Sequence, residues 1–131
     1  MRFERVLNIS RIVRIIFSEE AEQEYQKLVD TVKLEHEKAV RNSENQQLLR
    51  SIDEKVERLK YAPDSGLQIP RKQFPRKYLT EYGINNLWKI NLFNYWRLVY
   101  TLRGDRIEVL CVVLDLINHP DYDKIFGYKK R

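Results

Sequence analysis

Residues 86–128 read NLWKINLFNYWRLVYTLRGDRIEVLCVVLDLINHPDYDKIFGY, and this stretch decides the fold. It holds three strand-like runs separated by short turn signals, and then a polar tail with one His and two Tyr. The third run, 107–116, is almost entirely apolar, which is typical of a central strand covered on both faces. We therefore expect three neighbouring strands here.

The first two runs, 87–92 and 96–103, alternate between two kinds of side chain. Successive side chains of a strand point to opposite faces, so one face of this hairpin is apolar and can seat helices. The other face is expected to stay open, and it carries Lys89, Asn91, Arg97, Thr101 and Arg103.

A strand and two helices are predicted before this sheet. Residues 11–17 read RIVRIIF, a β-branched run, and Ser18 then begins a helical apolar pattern that reaches about residue 41. Ser43 and Gln46 form a capping box for a second helix, which ends before the Pro and Gly of 63–66. The two amphipathic helices form an antiparallel hairpin, and each needs a surface for its apolar face.

The predicted fold class is α+β, with residues 1–131 as a single domain in the order β-α-α-β-β-β. The helical hairpin is expected on one face of a twisted antiparallel sheet of about four strands, with a short C-terminal tail. A single cysteine excludes an intramolecular disulfide and suits a reducing compartment, and no apolar run is long enough to span a membrane. We expect a cytoplasmic protein.

The net charge of +5 falls entirely on residues 63–131, which hold 12 basic and 7 acidic side chains. This excess favours an anionic partner, either nucleic acid or an acidic protein segment, although an idle basic surface remains an alternative. In the connector 62–85, basic residues alternate with Phe74 and Tyr78, as in contacts to a phosphate backbone or in an ordinary solvated loop. These basic residues are Arg71, Lys72, Arg76 and Lys77.

The sequence has no metal-binding, P-loop, dinucleotide-binding or G-x-S-x-G motif, so an enzyme would use acid–base chemistry without a cofactor. Attack of RNA on itself through its 2′-hydroxyl needs a proton acceptor, positive charge on the phosphate and a proton donor. Lys89 and Arg97 could share one phosphate, His119 could donate a proton near neutral pH, and Tyr122 or Tyr128 could stack on a base. Alternatively, these are surface, capping and packing residues.

The phrases LWKINL, YWRLVYTL, IEVLCVVLDL and HPDYDKIFGY resemble the C-terminal core of the RelE/ParE toxin superfamily, over about residues 80–128. Over 11–62 the similarity is one of topology. For the RelE-like branch, the resemblance implies a ribosome-dependent mRNA endonuclease that blocks translation and is neutralised by an antitoxin wrapped around it. By position, Lys89 matches the catalytic-strand lysine, Arg97 the phosphate-stabilising arginine, His119 the late acid and Tyr122 the stacking tyrosine.

The leading hypothesis is therefore a metal-independent endoribonuclease that leaves a 2′,3′-cyclic phosphate, with mRNA, the ribosome and an antitoxin as partners and with no membrane. Homo-oligomers remain open. Residues expected to bind RNA phosphates or bases outside the catalytic set are Arg71, Lys72, Arg76, Lys77, Arg103 and Tyr128. Asn91 stands where the resemblance implies a second lysine. The alternatives are a ParE-like inhibitor of DNA gyrase and a stand-alone, non-toxic member that binds RNA or protein.

Overall fold

A five-stranded mixed sheet forms the centre of the computed structural model, which describes residues 12–104 and 108–127. The strands lie in the order β1-β5-β4-β3-β2, and their bounds are β1 Ile12–Phe17, β2 Leu67–Gln68, β3 Trp88–Asn91, β4 Arg97–Gly104 and β5 Glu108–Ile117. The three antiparallel strands predicted at the C-terminal end are confirmed as β3, β4 and β5. The α+β class is confirmed as well.

The sheet differs from the prediction in two respects: it has five strands, and β1 runs parallel to β5. The apolar strand β5 accepts a neighbour on each side, and the register from Ile12↔Glu108 to Phe17↔Val113 places β1 on its outer side. The direction of β1 depends on the path of the chain through the helices, which residue periodicity does not encode. The two-residue β2 lies in the proline-rich connector that the sequence pattern marks as irregular.

Two long helices, α1 (Glu19–Glu37) and α2 (Glu44–Tyr61), form the predicted hairpin. The predicted cap hydroxyls are confirmed, because Ser18 and Ser43 accept the amides of the third residue on, at 3.0 and 3.1 Å. The return bond of the predicted capping box differs, since the Gln46 Oε1 accepts the Asn42 amide at 2.7 Å. Helix α1 ends four residues before the predicted limit, where the backbone enters the left-handed region at 39 and 42. No helix in the described ranges is long and apolar enough to cross a membrane.

The hairpin packs on the apolar face of the sheet, as the alternation of β3 and β4 predicts. The core on this side is built from helix and sheet residues alike, namely Ala21, Leu48, Ile52, Leu59, Leu92, Leu98, Tyr100, Cys111, Val113 and Leu116.

Two short helices, α3 (Arg76–Tyr82) and α4 (His119–Phe126), cover much of the opposite face. The predicted C-terminal tail is therefore a helix within residues 119–126, and its signals are present in the sequence. The Asn118 side chain caps it by accepting the Asp121 amide at 2.9 Å, and Gly127 ends it at φ 73°.

The face expected to be open is thus closed over most of its area by a second core. This core consists of Ile69, Tyr78, Ile84, Leu87, Val99, Leu114, Ile117 and Tyr122. Leu87 and Val99 are apolar residues on this otherwise polar face, and burying them under the short helices is favourable. The end of the face around Lys89, Asn91 and Arg97 keeps its polar character, as does the exposed Arg103 at the opposite end.

Candidate active site

Strands β3 and β4 bring Lys89 and Arg97 together. Asn91 pairs with Arg97 and Lys89 with Val99, so the two cations lie on one face as diagonal neighbours, two residue pairs apart. Both approach the ring of Tyr122: the Lys89 Nζ is 5.2 Å and the Arg97 Cζ 5.1 Å from its centroid. These distances allow cation–π contacts, so one buried aromatic ring holds both charges in place.

The positive charges of Lys89 and Arg97 affect each other and can attract an anion. Burial first, and the neighbouring Arg97 second, lower the pKa of Lys89. In the part of the chain that the structure describes, neither Lys89 nor Arg97 forms an ion pair with a carboxylate. Asp115 pairs instead with Lys77 at 3.3 Å. Two close cations without a carboxylate favour a bound anion such as a phosphate.

Backbone carbonyls of the β3–β4 turn hold the Arg97 guanidinium. Its Nη1 donates to the carbonyl of Tyr95 at 2.5 Å and reaches that of Trp96 at 3.5 Å. Its buried Nε has no hydrogen-bond partner among residues 12–104 and 108–127. A buried donor without a partner costs free energy. This cost is easier to explain for a residue of a binding site than for a purely structural arginine.

His119 is placed at the same end of the sheet as Arg97 because α4 begins where β5 ends. Arg97 is paired with Ile117, and His119 follows two residues later as the first residue of α4. Its side chain is 53% exposed, and its Nε2 lies 3.4 Å from a carboxylate oxygen of Asp123. The imidazole is therefore accessible to a ligand and oriented by an acid on the same helix.

Tyr122 belongs to the site but not in the predicted role. The side chain is 2% exposed, and its ring stacks on Phe126 with 4.3 Å between centroids. A ring in this position cannot stack on a base without leaving the core, so the stacking role does not fit the structure. The ring instead packs against Lys89 and Arg97 through cation–π contacts.

Two of the basic residues predicted to bind RNA are engaged with the protein itself. Arg103 lies at the far end of β4, where its guanidinium donates to the carbonyl of Tyr82. Lys77 is paired with the buried Asp115. Both side chains thus have structural partners away from the Lys89–Arg97 pair.

The other predicted RNA contacts are on the surface of the connector. Arg71, Lys72 and Arg76 are exposed, and the Arg71 guanidinium lies over the ring of Phe74 at 5.7 Å. Tyr128 lies outside the described residues. The exposed arginines and lysine add positive surface without converging on the pair.

The sequence reasoning missed one residue at the site and one buried acid elsewhere on the same sheet. Tyr95 in the β3–β4 turn is 71% exposed, and its ring centroid lies 6.0 Å from that of His119. Asp115 is a buried carboxylate that accepts the Tyr78 hydroxyl at 2.6 Å, and burial first, with the Asp115 charge and this bond second, raises the pKa of Tyr78. An acid near the end of an apolar run, 109–117, was the available signal for Asp115.

The described residues contain no cluster of His, Cys, Asp and Glu that could hold a metal ion. The site is thus built from two cations, an imidazole and aromatic rings. Such a set can bind a phosphodiester and move protons.

Comparison with known proteins identifies the fold. No protein-family model matches the sequence, and no curated protein is significantly similar to it. A solved structure described as a YoeB/ParE toxin from Agrobacterium tumefaciens is similar, with a TM-score of 0.53 and 14% sequence identity, over 81% of this chain and 98% of that one. The chain therefore has the fold of this toxin, and the resemblance to the RelE/ParE superfamily is confirmed at the level of fold. The fold does not choose between the two branches, because they share it.

Proposed function

We propose that this protein is the toxin of a type II toxin–antitoxin pair and acts as a metal-independent endoribonuclease on ribosome-bound mRNA. The observation that carries the proposal is the Lys89–Arg97 pair, which has no carboxylate partner among the described residues. The accessible His119 follows two residues after Ile117, the strand partner of Arg97. The toxin fold supports the same function.

The proposed reaction begins at Lys89. Its lowered pKa increases the share of neutral amine, which can take the proton of a ribose 2′-hydroxyl. The oxygen then attacks the adjacent phosphorus, and the 5′-oxygen of the next nucleotide leaves. The products are a 2′,3′-cyclic phosphate and a 5′-hydroxyl.

Arg97 and His119 act on the other two charges that develop. The Arg97 guanidinium donates to the non-bridging oxygens of the pentacovalent phosphorus, where removing one fixed donor typically costs about 10²–10³ in rate. The His119 imidazolium gives its proton to the leaving 5′-oxygen, a step worth about 10²–10⁴ in general acid catalysis. Tyr122 positions both cations.

The remaining partners follow from this reaction. The exposed Arg71, Lys72 and Arg76 supply positive surface for phosphates of the message or of ribosomal RNA. An antitoxin chain that wraps the toxin would cover Lys89 and Arg97. The toxin would act in the cytoplasm, because ribosomes and mRNA are found there. The role of this basic surface, the antitoxin and the cytoplasmic location are all proposed.

Induced expression in a bacterial host tests the proposed function. Pulse labelling should show that amino-acid incorporation stops before DNA synthesis, and Arg97→Ala should remove the arrest. Arg58→Ala serves as the matched control, since Arg58 is an exposed arginine of α2 away from the site. Arrest of DNA synthesis first, with incorporation intact, would overturn the nuclease proposal.

A second candidate function is inhibition of DNA gyrase without RNA cleavage. The observation in its favour is Asn91, which pairs with Arg97 at the position where the resemblance implies another lysine. A protein that only binds would not need that charge. The labelling experiment separates the two functions, because gyrase inhibition reduces DNA synthesis first.

A further inference from the structure

The turn between β3 and β4 holds an aromatic ring in an unusual backbone conformation. Asn94 and Tyr95 have φ of 59° and 64°, and the Trp96 amide closes the turn on the Phe93 carbonyl at 3.3 Å. Positive φ at both central residues is the pattern of a tight hairpin turn, whose second position is usually glycine. Tyrosine there is strained, and backbone strain of this kind is concentrated at functional sites.

The Tyr95 ring lies at the edge of the proposed active site. It is 71% exposed, its centroid is 6.0 Å from that of His119, and the two ring planes are tilted by 51°. The carbonyl of the same residue accepts Nη1 of Arg97 at 2.5 Å. One residue thus touches both the proposed phosphate ligand and the proposed proton donor.

The exposure of Tyr95 distinguishes it from the other aromatic residue of the site. Tyr122 is buried under the two cations, whereas the Tyr95 side chain is mostly in solvent. Burial of a tyrosine ring is favourable, so an exposed ring on a strained turn gains nothing for the fold. An unpaired nucleobase presents a flat apolar surface that would cover it.

We propose that Tyr95 stacks on the nucleobase next to the scissile phosphate and thereby positions the RNA. This inference rests on the proposed function and makes Tyr95 a positioning residue, since its ring contacts substrate away from the reacting atoms. A base is joined to its phosphate through one sugar, so a ring beside His119 and Arg97 is placed to hold the nucleotide that they act on.

Three variants separate the ring from the turn. Tyr95→Asn removes the ring and suits the left-handed backbone, so the hairpin should fold at least as well as in the wild type. Tyr95→Phe keeps the ring. Tyr61→Asn is the matched control, because Tyr61 is 82% exposed at the end of α2 and contacts no residue of the site.

The test uses the full chain and ribosomes programmed with a message that carries 2-aminopurine at each position of the A-site codon in turn. A 2′-O-methyl group at the scissile ribose prevents cleavage, so binding is read as quenching of the stacked base. Wild type, Tyr95→Phe and Tyr61→Asn should quench at one position. Tyr95→Asn should lose the quench and bind about 10- to 100-fold more weakly, the loss expected for one stacked base.

The outcomes distinguish this inference from the proposed function. Quenching by Tyr95→Asn equal to wild type overturns the inference, while cleavage of unmethylated message by the wild type still supports the nuclease. Quenching that depends on Tyr95, without any cleavage, supports the inference and overturns the nuclease. Absence of both overturns both. Normal quenching by Tyr95→Asn with loss of antitoxin binding assigns the ring to a protein contact and overturns the inference.

Discussion

Lys89 of β3 lies half-buried beside Arg97 of β4, and burial first and the guanidinium second lower the pKa of its ammonium group. The two side chains reach this position from adjacent strands, two residue pairs apart on the same face. A lysine whose pKa is lowered can act as a general base. The adjacent Arg97 guanidinium is suited to binding the phosphate.

Replacing Arg97 by Met should raise the pKa of Lys89 toward that of an ordinary lysine. Loss of the neighbouring positive charge favours the protonated amine, so the rising limb of the cleavage–pH profile should move to higher pH. NMR titration of the lysine ε-carbons measures the pKa without relying on activity. Arg103→Met, at the far end of β4, should leave it unchanged. An unchanged or lower pKa in Arg97→Met would contradict the assigned coupling.

His119→Ala should reduce cleavage about 10²- to 10⁴-fold while leaving the fold intact, because the side chain is exposed and is the proposed proton donor. A message with a bridging sulfur in place of the leaving 5′-oxygen needs no such donor. Cleavage of that message by His119→Ala should therefore approach that of the wild type. Equal defects on both messages would show that His119 does another task.

Tyr78→Phe should lower the free energy of unfolding by about 1.5–3 kcal/mol, since it removes a buried hydrogen bond to the Asp115 carboxylate. Tyr25→Phe is the matched control, because its hydroxyl donates to Asp53 at 2.7 Å on an exposed surface. That variant should change stability by no more than about 0.5–1 kcal/mol. Urea unfolding of both variants gives the comparison, and equal losses would argue against a special role for the buried contact.

Gly66→Ala should destabilise the edge of the sheet next to Lys89. An added Cβ would lie 2.7 Å from the Tyr100 hydroxyl and 2.8 Å from the Lys89 carbonyl oxygen, so strand β2 or β3 must shift. Overpacking of this kind typically costs about 1–3 kcal/mol. Thermal unfolding and the amide chemical shift of Lys89 measure the two effects. A wild-type melting temperature together with an unmoved Lys89 amide would exclude the predicted clash.

Local patterns were sufficient for part of this structure. The helix caps at Ser18 and Ser43, and the shared face of Lys89 and Arg97, follow from short-range periodicity and from hydroxyl-to-amide bonds within three residues. Their strand pairing follows from the short interval between the two runs, 87–92 and 96–103, although the turn type at Asn94 and Tyr95 does not.

The remainder depends on contacts between distant parts of the chain. The parallel pairing of β1 with β5 and the burial of Tyr122 between α4 and the sheet arise from packing that no local spacing encodes. The register of β4 on β5 skips Leu114, and the irregularity lies where Asp115 reaches Tyr78. The same packing converts the predicted stacking tyrosine into a support for the two cations.

The most direct test of the central claim is to incubate the purified protein with programmed ribosomes and map the new message ends. The wild type should produce fragments that end in a 2′,3′-cyclic phosphate and begin with a 5′-hydroxyl. Arg97→Ala and His119→Ala, folded as judged by circular dichroism, should produce them at least about 100-fold more slowly. Intact message with the wild type, or equal cleavage by the two variants, would contradict the account.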